Sequence, residues 1–309
     1  MPKLLSPVTS FQSAIDVISA GADEIYCGVH MEKIDYLGLS TRSPLCSVQS
    51  YDELRRITEY AHDHGVETIA TTEFPFISEE IEDKIREHVN SCFEAGVDAI
   101  IATDIGTILL LKEMNLGIPI YASTYLATMN YEAAKFLRDL GVKRIILERQ
   151  LTISEIKEIV EYANGVEIEI FIHGPGCSNI NVNCYGCAGG SLAVPLLLEK
   201  IGGSVMMVGE GGRVYVDLPP FCRNLFDVYS IEGEDSRLEA RIPILDAYCY
   251  CSLCKLPELM RTGVTGFKIV GRCLPKDYQV KVTAIYRELI DLIENGEMEL
   301  FYERLKAIR

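Results

Sequence analysis

Helix-like stretches along the chain end at a glycine, and an apolar run begins two to four residues later. The junction occurs at Gly21-Ala-Asp-Glu-Ile-Tyr26, Gly65-Val-Glu-Thr-Ile-Ala70 and Gly96-Val-Asp-Ala-Ile-Ile101. It recurs at Gly117-Ile-Pro-Ile-Tyr121, Gly141-Val-Lys-Arg-Ile-Ile146, Gly165-Val-Glu-Ile-Glu-Ile170 and Gly263-Val-Thr-Gly-Phe-Lys-Ile269. Glycine suits the left-handed position just past a helix, and the apolar run suits a buried parallel strand. The segments between read as amphipathic helices. Leu54, Ile57 and Ala61 share a face, as do Ile81, Ile85, Val89 and Cys92, and Ile153, Ile156, Ile159 and Val160. With an opening strand at Leu4–Pro7 the pattern predicts eight strands alternating with helices. That is an α/β fold, a (β/α)8 TIM-like barrel, with a doubly wound sheet as the runner-up.

One connection breaks the rhythm. About ninety residues separate the seventh strand from the eighth, where short loops are the rule. The predicted organisation is a barrel from residues 1–172 and 263–309, with an insertion, 173–262, over its C-terminal face. Glycines flank Val205–Val208 and Arg213–Val216, which read as a β-hairpin. Tyr278–Ile293 reads as a closing helix, and Glu297–Arg309 as one more helix against the barrel.

The seventh strand runs into the insertion along Ile168-Glu-Ile-Phe-Ile-His-Gly-Pro-Gly-Cys177, followed by Cys184 and Cys187. Pro175 cannot donate to a sheet, so the strand is expected to stop near Ile172. The same insertion carries Cys222, Cys249, Cys251 and Cys254, and Cys273 follows the last strand. Barrel enzymes keep their sites on the loops at this end of the strands. Cys27, Cys46 and Cys92 lie elsewhere and read as small apolar fillers.

Eleven cysteines without a signal-peptide pattern or a membrane-length apolar run argue for a cytoplasmic protein with metal or redox thiols rather than a disulfide framework. A net charge of −16 opposes nucleic acid binding unless a partner supplies a basic surface. Thiolates suit iron–sulfur clusters and zinc alike. Cys184-Tyr-Gly-Cys187 and Cys251-Ser-Leu-Cys254 have a spacing that also fits structural zinc or a redox disulfide. His173 ends the seventh strand beside the thiols and is a candidate substrate contact or acid/base, or simply a hydrogen-bonded strand end. Arg149, Lys268 and Arg272 stand at the ends of the sixth and eighth strands. They are candidates for binding the carboxylates of a small anionic organic molecule, against ordinary ion pairing to Glu148 or Asp104. His30, His62, His64 and His88 read as structural. No HExxH, no GxSxG and no Cys–His pairing outside the cysteine cluster points to a peptidase.

Taken in order, several stretches resemble the collagenase-like peptidase family of unassigned catalytic type. They are Leu4-Leu-Ser-Pro-Val-Thr-Ser10 through Ala20-Gly-Ala-Asp-Glu-Ile-Tyr-Cys-Gly28, then Ser40-Thr-Arg42 and Ala61-His62. Ala122-Ser-Thr-Tyr125 with Asn130, Leu147-Glu-Arg149, and Glu167 through Cys177 with Cys184 follow. Phe267-Lys-Ile-Val-Gly-Arg272, Tyr278 and Tyr286-Arg287 close the series. The resemblance implies a barrel. For the family's RNA-hydroxylation and oxygen-independent ubiquinone-biosynthesis members, it also implies a [4Fe–4S] cluster on four cysteines. Those would be Cys177, Cys184, Cys222 and Cys254, with Cys187, Cys249 and Cys251 as extra thiols. It further implies hydroxylation of an aromatic or nucleobase substrate, with a prephenate-like oxygen donor. A peptidase, or a cluster-bearing subunit working with a homologous partner, are the alternative expectations. Gln150 and Val270 stand where the family often has glutamate, which leaves the cationic trio less compensated.

Overall fold

The computed structural model describes residues 1–31, 46–72, 79–177, 204–207, 214–217, 226–232, 235–242, 246–272 and 274–308. Eight parallel strands close on themselves. They are β1 (Lys3–Pro7), β2 (Glu24–Cys27), β3 (Glu67–Thr71), β4 (Ala99–Ala102), β5 (Ile120–Ala122), β6 (Arg144–Ile146), β7 (Glu167–Cys177) and β13 (Gly266–Ile269). They pair in sequence from β1 to β7. β13 closes the ring between β7 and β1. The barrel expected from the glycine junctions is therefore present, and all seven junction glycines adopt positive φ.

The surrounding helices are α1 (Phe11–Ser19), α2 (Tyr51–Asp63), α3 (Glu79–Glu94), α4 (Ile105–Met114), α5 (Tyr131–Asp139) and α6 (Ile153–Tyr162). The short α7 (Leu256–Met260), then α8 (Lys276–Glu294) and α9 (Met298–Ile308), follow the insertion. Ser10, Ser50, Asp104, Asn130 and Thr152 cap helix starts through their side chains. The expected helix faces are buried at Leu54, Ile57, Ala61, Ile85, Val89, Cys92, Ile156 and Ile159, and they pack on the outward side of the strands. Among the described residues no helix is long and apolar enough to cross a membrane.

Two apolar zones follow from strand alternation. The larger lies between strands and helices. The smaller fills the barrel with Leu5, Tyr26, Ile69, Ile101, Tyr121 and Phe171. Below it, at the N-terminal end, the interior is ionic. Arg144 reaches Glu24 (2.9 Å), Glu167 (2.8 Å) and Glu169 (3.2 Å), and lies over the Tyr121 ring. Lys3 adds contacts to Glu24 (3.0 Å) and Glu67 (2.7 Å).

The seventh strand departs from expectation. It does not stop at Ile172 but runs through Gly174-Pro175-Gly176 to Cys177. Beyond the barrel rim it pairs antiparallel with β12 (Asp246–Cys251), Cys249 opposite Pro175 and Cys251 opposite His173. Proline is tolerated where a ribbon has one partner and an irregular register. The expected hairpin exists as β8 (Ser204–Met207) and β9 (Val214–Asp217). A second, β10 (Phe226–Glu232) with β11 (Asp235–Ile242), and β12 itself were not expected from the sequence.

Candidate functional site

The C-terminal ends of the strands carry buried polar residues directly after apolar runs: Thr71, Thr103, Ser123 and Glu148. Arg149 and Arg272 join them. The Arg149 guanidinium lies 4.7 Å from the centre of the Phe171 ring. That of Arg272, itself buried, lies 5.7 Å from the Tyr26 ring, with one nitrogen 3.4 Å from the Thr71 hydroxyl. Both cations therefore rest on aromatic faces of the barrel plug, which stabilises them by roughly 0.5–2 kcal/mol each. The sequence signal for these polar residues at the ends of strands three to six is the first hydrophilic residue after each apolar run.

Lys268 shares the Tyr26 ring with Arg272, its Nζ 4.2 Å from the ring centre. It lies deeper and pairs with Glu169 at 3.3 Å. Burial pushes its ammonium below the ordinary lysine value, and Glu169 only partly offsets this. Its partner is a neighbour within the barrel, not Glu148 or Asp104.

His173 is not on this pocket. The register between β7 and β13 slips at Lys268/Ile269, so Phe171 pairs with Lys268 while His173 pairs with Ile269. Lys268 faces the interior and Ile269 faces the helices, so the bulge turns His173 outward. There its Nδ1 lies 3.3 Å from the Tyr286 hydroxyl and its Nε2 2.8 Å from that of Tyr278, both on α8. Burial holds the imidazole below its ordinary pKa. Burial, followed by the charge of the nearby Cys251 thiol, drives the Tyr286 phenol upward. The neighbouring Tyr250 packs instead against the barrel interior. β12 thus straddles the rim.

Of the four thiols expected as ligands, Cys177 ends β7 and Cys254 is exposed in the turn before α7. Cys184 and Cys222, with Cys187 and Cys273, fall outside the described residues. Cys251 is a free thiol and exposed. Among the described residues no three His, Cys, Asp or Glu side chains gather as a metal centre. The donors in view, the exposed thiols of Cys251 and Cys254, have the soft chemistry that an iron–sulfur cluster or zinc takes.

Cys27 and Cys92 are buried as expected. Cys46 is buried too but disulfide-bonded, so it is not a free filler. Cys92 lies 3.7 Å from Nε2 of His88. Burial raises the Cys92 thiol well above its ordinary value and lowers His88 to about 4, so this pair is not an activated nucleophile. His62 pairs with Asp98, and His64 bonds the Tyr60 carbonyl, both structural roles.

A family model described as Peptidase family U32 matches residues 9–188 and 220–309. An uncharacterized protease of Methanocaldococcus jannaschii is 30% identical over 100% of this chain and 69% of its own length. The 23S rRNA 5-hydroxycytidine C2501 synthase of Escherichia coli is 28% identical over 96% of this chain, which spans 40% of that protein. The tRNA hydroxylation protein P2 of Bacillus subtilis is 25% identical over 100% of this chain and 94% of its own length.

Proposed function

This chain belongs to peptidase family U32, and on that premise we propose that it is a hydroxylation protein of the oxygen-independent type. It would hold a small organic acid at the barrel mouth as oxygen donor and act on an aromatic or nucleobase substrate. The observation that carries this reading is the pair Arg149 and Arg272, set on Phe171 and Tyr26 at the strand ends. Two guanidinium groups over aromatic rings suit a carboxylate on a carbon skeleton, and they concentrate an anion locally in a chain of net charge −16. The relatives named for rRNA and tRNA hydroxylation support the reaction type, and the second spans nearly the same length. The protease name of another relative supports the second reading, a peptidase. The inert Cys92–His88 pair speaks against a thiol mechanism at that place.

A [4Fe–4S] cluster would be held by Cys177, Cys184, Cys222 and Cys254, with zinc as the alternative. When bound, the cluster supplies an electron-transfer and Lewis-acid centre at the rim. The chain's own part is to orient the acid through Arg149 and Arg272 and to keep the pocket floor dry with Tyr26 and Phe171. Lys268, paired with Glu169, supports that floor. An RNA substrate would need a basic surface from a partner, which a homologous subunit could provide.

Anaerobic purification with iron, sulfide and zinc measured together tests the centre. Iron and labile sulfide are expected, and their loss in Cys254→Ala. Stoichiometric zinc without sulfide would replace the cluster by a structural site. Unmodified transfer and ribosomal RNA, incubated with the anaerobic protein and prephenate, should yield hydroxylated nucleosides by mass spectrometry. Peptide cleavage without hydroxylation would favour the second reading.

Arg272→Ala is expected to weaken prephenate binding about tenfold to a hundredfold, the worth of a hydrogen bond to a charged group. Metal content should stay unchanged. Calorimetric titration of both proteins checks this, and equal affinity would return Arg272 to a structural role.

A further inference from the structure

The proton positions around His173 follow from which groups can donate. The Tyr286 hydroxyl lies 2.7 Å from the backbone carbonyl of Ile172, which can only accept, so its single proton is donated there. The same oxygen accepts the Ser252 N–H at 3.1 Å. Toward Nδ1 of His173, at 3.3 Å, Tyr286 therefore offers only a lone pair, and Nδ1 carries the hydrogen. A neutral imidazole has one such hydrogen, so Nε2 is an acceptor. Tyr278, 2.8 Å away, donates its proton to it. Among the described residues, the Cys251 thiol and the Tyr250 phenol of β12 also act on this cluster, through Tyr286.

Tyr278 stands in the first turn of α8, at the C-terminal rim, and is 37% exposed, while His173 behind it is 8% exposed. We infer that Tyr278, rather than His173, meets the substrate, and meets it as a proton acceptor for an O–H or N–H group. The inference rests on the hydroxylation reading for its substrate. The donor edge of a nucleobase or a phenolic or alcoholic hydroxyl fits it, and a group that can only accept does not.

The step is a proton relay. The substrate's O–H or N–H bond breaks and its electron pair stays on that atom. The hydrogen bonds to the Tyr278 oxygen as the original phenolic proton passes to Nε2. Tyr278 ends neutral, and the imidazolium is held by Nδ1–H on Tyr286. Tyr286 is the positioning residue, because its hydroxyl fixes the tautomer and also pins β12 through Ser252.

With five histidines in the chain, nitrogen-15 NMR of the histidine-labelled full-length protein, assigned with His173→Gln, reads the tautomer directly. A protonated Nδ1 and a bare Nε2 are expected. Tyr278→Phe should keep that tautomer and the metal content, and lower hydroxylated-nucleoside formation from RNA and prephenate by about a hundredfold or more, the usual worth of a positioned proton acceptor. A protonated Nε2 in the wild type overturns the inference, because Tyr278 could not then be giving its proton. Full activity in Tyr278→Phe overturns it as well, while leaving the hydroxylation reading intact. If the wild type forms no hydroxylated nucleoside, the hydroxylation reading falls, and the tautomer alone decides the direction of the relay.

Discussion

Arg144→Ala is expected to cost about 3–5 kcal/mol of folding stability, the penalty for breaking a buried ion pair from one side. The Arg144 side chain is 2% exposed and both the Glu24 and Glu169 side chains are fully buried, so removing the guanidinium leaves two carboxylates inside the barrel with only Lys3 and Lys268 to balance them. Burial acts to raise the Glu24 carboxyl, but the hydrogen bond and charge of Arg144, helped by Lys3, outweigh it and leave the group below its ordinary value. A carboxylate lowered in the folded state stabilises the fold above its unfolded value, near 4.3, and that contribution is lost as pH falls through the folded value. The gap between wild type and Arg144→Ala should therefore be widest at neutral pH and narrow in acid. Urea unfolding followed by tyrosine fluorescence, usable because the chain has no tryptophan, measures it. A loss below about 1 kcal/mol at neutral pH, the size of a surface pair, would show that the network is solvated.

Gly174→Ala is the second large effect. Gly174 holds φ at +125°, and a Cβ there would stand 2.3 Å from the Val270 carbonyl oxygen and 2.5 Å from its Cγ2. The obstacle is backbone of the adjoining strand, tied to β7 by the Val270 N–H donating to His173 at 2.8 Å. Strain at that φ and the overpacking together should cost about 2–6 kcal/mol. Because the displaced residues flank His173, the Tyr278 and Tyr286 contacts should loosen as well, visible as altered histidine NMR shifts. Near-wild-type stability with an unchanged His173 signal would show that β13 gives way freely at Val270.

The architecture was legible because its signals are local. Each junction glycine is needed by its own helix end, and each apolar run by its own strand, so the order of eight strands can be read without knowing which strands touch. The outward helix faces at Leu54, Ile57 and Ala61 follow from a period of 3.6 for the same reason. Arg149 and Arg272 were legible as strand-end cations, since position along a strand already decides which end of a barrel a residue occupies.

What lay beyond the sequence depends on pairings between distant segments. The continuation of β7 past Pro175 exists because β12, some seventy residues later, supplies an antiparallel partner. The turning of His173 away from the pocket comes from one slipped register between β7 and β13, and a slip of one residue reverses the face of a side chain. The pairing of Lys268 with Glu169, and of Arg144 with Glu24, required closure of the barrel to bring second, sixth, seventh and eighth units around one axis. Alternation along a strand tells which residues face inward. Only the closed ring decides which of them meet, and so which charges cancel inside.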